Sequence, residues 1–405
     1  MQLYQLHDQR RASLPLPVAF WMDTMCIPVD PSARLHRKKA IQLLGKTFQE
    51  ASAVLVLDRE LEIVNAITAS FLELGLRILT SGWVKRLWTL QEASLASEAQ
   101  GADKLYFQMQ DGPYLYQKYD RTRKALHSLD RNVNEITAEE RELLNETAVM
   151  LMLGEQIPSV RAIRDQTRTI LSPFSIIRSA IEHRTTSKAE DMPVCIASLM
   201  GKDLSTILST SDVERRMGSF YVLMREIPIR VLWPLRQPEK LSISPFRWAP
   251  RSITDCVPSD FMGEEFGICD ETGVHIRAGG FLLAEGQEKR PDIGGIFPNY
   301  AVGIGLAENE KMICHLCVPR DQPAGAPILM GNLALIFRPR DGPRHPEVMV
   351  VMIEETNEVV DNDSDAESEI VCRIVGYRIP TMLQEAPETN IWGYALPSDQ
   401  RWCIT

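Results

Sequence analysis

The 405-residue sequence has no long apolar run and no regular spacing of cysteines. No apolar run approaches the roughly 20 residues that a membrane helix needs, so we predict that the protein does not contact a membrane. Residues 1–11 are polar and basic and lack the apolar core of a secretory signal. The eight cysteines are scattered rather than grouped as a disulfide framework, which favours a reducing, cytoplasmic setting.

The chain also lacks the excess of positive charge that is typical of nucleic-acid-binding proteins, so we predict no nucleic-acid partner. Its formal net charge is −10, and eight acids without a single base lie between Glu354 and Glu369. This tract predicts an exposed acidic loop, residues 354–369, between two strands. The Asp-x-Asp-x-Asp run that begins at Asp361 has Ala366 at its sixth position and Cys372 at its twelfth, which excludes a calcium loop.

The usual motifs for phosphate or zinc binding are missing as well. No Gly-x-x-x-x-Gly-Lys loop is present, and the Gly-Ile-Gly run at 303–305 lacks the third glycine of a dinucleotide fingerprint. Cys314 and Cys317 have metal-like spacing but no second pair, so two ordinary strand cysteines are favoured over zinc. We therefore predict no metal and no bound cofactor.

The patterns that are present predict an α/β fold at the N-terminus. Short apolar runs at 18–22, 53–57 and 105–109 are typical of buried strands, and helical periodicity from about Ser32 and over 61–79 separates them. This alternation predicts a small parallel sheet with helices on its faces. We predict three regions: an α/β domain (1–113), a helical region (114–227) and a β-rich C-terminal region (228–405).

Shorter signals support the second and third regions. Three Ser/Thr-x-x-Glu capping boxes predict helix starts in the helical region: Thr137/Glu140, Ser187/Glu190 and Ser211/Glu214. Gly201 is expected to end the helix that follows the second box. Short β-type runs between glycine turns predict strands in the third region, at 229–233, 274–276, 281–283, 301–304, 328–337, 348–353 and 370–377.

The most unusual stretch is 81–93, which we predict to be a helix that carries two tryptophans, an arginine and a Gln-Glu pair. On such a helix Trp88 and Glu92 share one face, and a carboxylate beside an indole experiences a dry environment. Core packing of Trp83 and Trp88, and a solvent-facing or cap-paired Glu92, remain the simpler alternatives. Two alternatives are also open for Asp23, which follows the 18–22 run: it is either a site residue or a turn residue.

Cys26 lies three residues beyond Asp23, and no partner histidine can be identified for it in the sequence. We therefore predict that it serves as a small core hydrophobe.

The order of these motifs resembles the fungal heterokaryon incompatibility (HET) domain. The resemblance rests on Phe-Trp-Met-Asp-Thr-Met-Cys-Ile-Pro at 20–28, a Val-Leu-Val-Leu strand, and Trp-x-x-Arg-x-Trp-Thr-Leu-Gln-Glu at 83–92. Looser similarity covers 105–112, 184–191 and 246–252. The family's domain is distantly similar to Toll/interleukin-receptor (TIR) domains, which implies a TIR- or flavodoxin-like sheet.

The resemblance also implies a function. HET proteins act in non-self recognition and trigger the death of fused cells, and many TIR domains hydrolyse NAD with a glutamate in a Trp-Cys-x-x-Glu helix. It implies that Glu92 is catalytic and that Asp23, Arg86 and Trp88 line a pocket for NAD as substrate. Other HET or receptor-like signalling proteins, or a second copy of the chain, are the implied partners.

The chain departs from the family pattern at its N-terminus. HET domains open with a strand of the Tyr-x-Ala-Leu-Ser-Tyr-x-Trp-Gly type, and the seventeen residues before Val18 contain no such segment. We therefore predict a sheet without its first strand, and two alternatives to an enzyme stay open. One is a non-enzymatic interaction module that uses the same surface, and the other is a truncated, inactive paralogue.

Overall fold

The computed structural model divides the chain into two compact units, residues 1–216 and 217–405. The residues that it describes are 19–96, 104–119, 156–158, 163, 173–234, 238–256, 265–283, 300–307, 310–316, 333–338, 348–359, 367–378, 381–382, 393–396 and 398–405. In these residues the fold is mixed α/β, with one small sheet in the first unit and a larger, mainly antiparallel sheet in the second.

The first unit is built from helices around a three-stranded sheet. Its strands are β1 (Val54–Val56), β2 (Leu105–Met109) and β3 (Gly112–Leu115). The α-helices whose two ends both lie in described residues are α1 (Asp23–Cys26), α2 (Arg34–Glu50), α3 (Arg59–Glu62), α4 (Phe71–Thr80), α5 (Thr89–Ala96), α6 (Pro173–Ile181), α7 (Asp191–Leu199), α8 (Ser205–Ser209) and α9 (Val213–Met224), the last of which continues into the second unit.

The small sheet has the order β1-β2-β3, and it contains one parallel and one antiparallel pair. The predicted strands at 53–57 and 105–109 are confirmed as β1 and β2, which run parallel with Val54 opposite Leu105. β3 follows β2 through a tight hairpin, where Gly112 has a φ of 128° that favours glycine. The buried side chains of this sheet and of α4 form the core of the unit, together with Trp83.

The predicted strand at 18–22 is wrong for the residues that the structure describes. Residues 19–22 form no strand, and α1 begins at once, because the Met22 carbonyl accepts hydrogen bonds from the amides of Met25 and Cys26. Trp21 packs edge-on against Phe48 of α2 instead, with 5.5 Å between the ring centroids. The third strand of the sheet is therefore β3, and the sheet is mixed rather than parallel.

The single helix predicted over 61–79 is interrupted. α3 ends at Glu62 and α4 starts at Phe71, with turns between them. The Asn65 side chain accepts hydrogen bonds from the amides of Ile67 and Thr68, at 3.0 and 3.1 Å, which offers the backbone an alternative to the helix. Periodicity alone did not reveal this break.

The predicted capping boxes have mixed outcomes. Thr137/Glu140 lies outside the described residues. The helix after Ser187 is α7, whose N-cap is Glu190 without a side-chain cap, and Gly201, with φ 72°, follows its end as predicted. At α9 the cap is Asp212, which accepts a 2.7 Å hydrogen bond from the amide of Arg215, rather than Ser211.

The second unit contains a nine-stranded sheet. Its strands, together with those of a second, three-stranded sheet, are β4 (Glu226–Pro228), β5 (Phe266–Asp270), β6 (Gly273–Arg277), β7 (Gly280–Leu283), β8 (Tyr300–Ala307), β9 (Glu310–Leu316), β10 (Leu333–Phe337), β11 (Val348–Val359), β12 (Glu367–Arg378), β13 (Thr381–Met382), β14 (Gly393–Ala395) and β15 (Arg401–Ile404). The large sheet has the order β14-β7-β10-β11-β12-β15-β6-β5-β4, and the small one β13-β9-β8. The only parallel pair among these described strands is β12 with β15.

The predicted β-rich character of the C-terminal region is thus confirmed, with two corrections. The run at 229–233 forms a short 3-10 helix (Ile229–Leu232) instead of a strand. The acidic tract is only partly a loop, because its ends belong to β11 and β12, and residues 360–366 lie outside the described part. Glu354 on β11 forms an ion pair with Arg373 on β12 at 3.2 Å, so at least one acid of the tract joins the two long strands.

One side chain of the large sheet forms a charged cluster with its neighbours. His275 on β6 has its Nδ1 2.9 Å from Glu369 Oε1 on β12, and its Nε2 3.2 Å from Asp270 Oδ2 on β5. The same Nε2 lies 3.9 Å from the Sγ of Cys403 on β15. The imidazole thus joins side chains from three other strands, and we call these four residues the His275 cluster.

Substitution of Trp402 tests how much one buried hydrogen bond contributes to the stability of this unit. It is fully buried, and its indole N–H donates a 2.9 Å hydrogen bond to the Ala278 carbonyl. We expect Trp402→Phe to lower the free energy of unfolding by about 1–3 kcal/mol, because a buried carbonyl loses its partner. Chemical denaturation followed by circular dichroism measures this. Phe266→Leu, at an exposed position of β5, is the control and should change stability by less than about 0.5 kcal/mol.

Candidate functional site

The tryptophan-rich segment 81–93 is helical only from Thr89 onward, so the predicted helix is wrong for its first half. Its backbone pairs with a distant segment instead: the Leu87 amide donates to the Thr185 carbonyl at 2.9 Å, and the Thr185 amide donates to the Lys85 carbonyl at 2.7 Å. These bonds use backbone groups that a helix would have used internally. The tertiary pairing therefore overrides the local helical pattern.

This geometry changes which tryptophan contacts the glutamate. The indole N–H of Trp83 donates to Glu92 Oε2 at 3.0 Å, whereas the indole N–H of Trp88 donates to Asp191 Oδ2 at 3.0 Å. The predicted helical face shared by Trp88 and Glu92 does not form, because Trp88 precedes the helix. Trp83 is buried in the core of the unit and also holds the carboxylate, so core packing and a polar role coincide in one side chain.

The environment of Glu92 favours the neutral form of its carboxyl. Burial raises the pKa of Glu92 above its ordinary value, and the hydrogen bond from Trp83 and the positive charges of Arg86 and Arg184 partly oppose this effect. Asp23 adds to the rise through its negative charge. Glu92 Oε1 accepts no hydrogen bond from any residue that the structure describes, which leaves this oxygen available to a ligand.

Two of the other predicted site residues, Asp23 and Arg86, are close enough to Glu92 for their charges to act on its pKa. Arg86 Nη2 is 3.7 Å from Asp23 Oδ2, and both side chains are about half exposed. The structure thus brings Asp23, Arg86 and Glu92 together, and it turns Trp88 toward Asp191. A half-exposed guanidinium can bind the phosphate oxygens of a ligand. The prediction that Cys26 is a core residue is wrong, because its side chain is exposed.

Asp58 is a residue of the candidate site that was not predicted from the sequence. It follows β1, and its Oδ2 accepts a 2.8 Å hydrogen bond from the Trp83 amide, while its Oδ1 caps α3 through the Glu60 amide at 3.0 Å. Its position just beyond a buried strand is the same signal that drew attention to Asp23. An acidic residue directly after a predicted strand is therefore the sequence signal that could have identified Asp58.

Arg184 and Asp191 were also missed as individual contacts, although the looser family similarity covers their segment. Arg184 is buried, and its Nη1 donates to the Thr89 Oγ1 at 2.9 Å and to the Arg86 carbonyl at 3.0 Å. Asp191 anchors Trp88, as described above. The segment 184–191 thus contacts the tryptophan-rich segment through both its ends and through Thr185.

No group of three or more His, Cys, Asp or Glu side chains with metal-binding geometry occurs in the described ranges. Cys317 and the acids 361–365 lie outside them.

A shallow groove of about 410 Å³ runs along α4, with Ser70, Glu73 and Arg77 among its lining residues, and none of the predicted site residues borders it. No helix in the described part of the chain is long and apolar enough to cross a bilayer.

Comparison of the chain with protein-family models, with curated proteins and with solved structures gave no match. The resemblance to HET and TIR-like domains therefore stays a prediction, and the geometry around Glu92 is the basis for the functional argument.

Proposed function

We propose that this protein is a HET-type protein of fungal non-self recognition that promotes the death of fused cells, and that its α/β unit hydrolyses NAD. The observation that carries the proposal is the position of Glu92. Its carboxylate is held by the Trp83 indole at 3.0 Å in a mostly dry setting, with the charged groups of Arg86 and Asp23 nearby. A fixed, desolvated carboxylate with one open oxygen suits the stabilisation of a developing positive charge.

The reaction needs one such carboxylate. The bond between nicotinamide and C1′ of the ribose breaks, and its electron pair leaves with nicotinamide, which becomes neutral. Positive charge develops on the ribose in an oxocarbenium-like transition state, where Glu92 Oε1 stabilises it. Water then adds to C1′ and loses a proton to solvent, so the products are ADP-ribose, nicotinamide and one proton.

Arg86 supplies the phosphate contact in this proposal. Its guanidinium is half exposed and lies 3.7 Å from the Asp23 carboxylate, a distance at which the ion pair is easily exchanged for a stronger bond. Pyrophosphate oxygens offer that bond, because they match the fork of the guanidinium. The Asp23 carboxylate, released from that pair, can then accept a hydrogen bond from a ribose hydroxyl.

The test is nicotinamide release from NAD by the purified protein, measured by chromatography between pH 4 and pH 8. We expect release to fall as the pH is lowered through the raised pKa of Glu92, because protonation removes the negative charge. The midpoint should lie above the ordinary value of 4.5. No release by concentrated wild-type protein at any pH would refute the NAD-hydrolysis part of the proposal.

A second candidate function is a non-enzymatic interaction module, and one observation favours it. Large apolar side chains near Asp23 are exposed to solvent: Phe20 by 54 %, Met25 by 70 %, Val29 by 79 % and Leu35 by 80 %. Exposed apolar residues grouped in one short segment are typical of protein-binding surfaces. Self-association that depends on Met25 and Val29, measured by light scattering in a protein that releases no nicotinamide, favours this alternative.

A further inference from the structure

We propose that Arg184 is a positioning residue for Glu92 and that it acts through Thr89 and Trp83. The geometry points to a relay of three hydrogen bonds that begins at a buried guanidinium and ends at the carboxylate. Only the kinetic part of this inference rests on the proposed NAD hydrolysis, since the relay itself can be measured without any substrate.

The first step is the unusual setting of Arg184. Arg184 is 5 % exposed, and its guanidinium donates hydrogen bonds to three backbone carbonyls and one hydroxyl, which belong to Gln156, Ala180, Arg86 and Thr89. In the part of the chain that the structure describes, no carboxylate pairs with it at salt-bridge distance. Burial of a cation among neutral acceptors is costly, so the arrangement calls for a role beyond simple packing.

The second step passes through the hydroxyl of Thr89. Its Oγ1 accepts the 2.9 Å bond from Arg184 Nη1 and lies 2.6 Å from the Trp83 carbonyl and 2.7 Å from the Arg86 carbonyl. We assign the single hydroxyl proton to the Trp83 carbonyl, because this is the nearer acceptor and because Arg184 already donates to the Arg86 carbonyl. Arg184 orients the hydroxyl by occupying the acceptor side of its oxygen. The carbonyl of Trp83 is thereby fixed on one side, while Asp58 holds its amide at 2.8 Å on the other.

The third step is the indole of Trp83. Because both backbone groups of Trp83 are fixed, its side chain can aim the indole N–H at Glu92 Oε2 with little freedom to move. Arg184 also acts on Glu92 directly, since its positive charge lowers the pKa of that carboxyl against the effect of burial. The other groups that face Glu92 are Arg86, Asp23 and the thiol of Cys195 on α7, whose burial raises its pKa to about 12 and keeps it neutral.

The test variant is Thr89→Val, which has nearly the same shape but breaks the relay at its middle. The readout is the ¹⁵N–¹H resonance of the Trp83 indole followed over pH, because this proton reports on the protonation of Glu92. We expect a smaller titration shift and a solvent exchange rate of the indole proton that is at least about tenfold higher. Thr89→Ser retains the hydroxyl and should restore both properties.

Two further variants separate positioning from general stability. Ser198→Ala removes a buried hydroxyl on α7 that accepts a hydrogen bond from Gln91. Gln91 lies on α5, the helix that also carries Thr89, but neither Gln91 nor Ser198 belongs to the relay. We expect its indole resonance to behave as in the wild type. Arg184→Lys retains the charge but loses the planar fork, so it should accelerate indole exchange while the pKa of Glu92 stays close to that of the wild type.

The outcomes are distinct. Wild-type indole exchange and titration in Thr89→Val overturn the inference, and so does an equal change in Thr89→Val and Ser198→Ala. If the protein releases nicotinamide, Thr89→Val should lower kcat by about tenfold with KM little changed, because the group that stabilises the transition state is displaced. If wild-type protein releases none while the resonance behaves as expected, the proposed function fails and the positioning role stands.

Discussion

Glu92→Gln is expected to lower the rate of nicotinamide release by about 10²–10³-fold, the range found when a single charge-stabilising group is removed from a transition state. The amide retains the size of the side chain and an oxygen that can accept the Trp83 hydrogen bond. It loses the negative charge, which is the property that the proposed chemistry requires. Residual release should no longer fall at low pH, because no carboxyl remains to be protonated at that position.

The stability of this variant provides an internal check. A carboxyl whose pKa is raised by burial costs stability in its charged form, and this cost is present above the raised pKa and relieved below it. We therefore expect Glu92→Gln to unfold at the same or a higher denaturant concentration than the wild type at pH 7. Glu226→Gln, at an exposed position of β4, is the matched control for both activity and stability. Wild-type release by Glu92→Gln would remove Glu92 from the catalytic role.

His275→Gln is expected to lower the free energy of unfolding by about 2–4 kcal/mol near pH 6 and by much less near pH 10. The contact with Cys403 and the hydrogen bonds to Glu369 and Asp270 raise the pKa of His275 to about 10, against the opposing effect of burial. The folded-state pKa thus lies above the value of about 6.5 for an unfolded histidine. The stabilisation is fully present below the unfolded value and is lost as the pH rises through the folded one.

The measurement is urea unfolding of wild type and variant at several pH values between 6 and 10, followed by circular dichroism. Other groups titrate in this range in both proteins, so the difference between the two curves isolates the His275 cluster. His183→Gln removes an exposed histidine and should follow the wild-type curve at every pH. A difference between wild type and His275→Gln that does not shrink toward pH 10 would contradict the assignment.

The parts of the fold that could be predicted are those in which local sequence carries the information. β1 and β2 follow from short apolar runs between polar turns, and the β-rich second unit follows from the same signal repeated. The break at Asn65 and the extended course of the backbone at Lys85 could not be read from periodicity, because a side-chain amide and a distant strand-like segment replace the helical hydrogen bonds there.

The candidate site was predicted in part for a related reason. Asp23, Arg86 and Glu92 were identified through the family resemblance, and the structure brings them together. Trp88 was predicted as the partner of Glu92 because residues four apart are neighbours on one face of a helix. The helix begins only at Thr89, so Trp88 does not lie on that face. The contacts of Trp83 and Trp88 with residues 58 and 191 depend on segments far along the chain, which a local pattern does not encode.

The pairing of Lys85 and Leu87 with Thr185 has a consequence for the time at which the site forms. It joins residues that are 100 positions apart, so a loop of that size must close before the backbone around Trp83 is fixed. A growing polypeptide that has reached β3 already contains Asp23, Arg86 and Glu92, but it lacks the segment that holds them in place. The arrangement around Glu92 is therefore completed only after the segment that ends in Asp191 has been added, about midway through synthesis of the 405 residues.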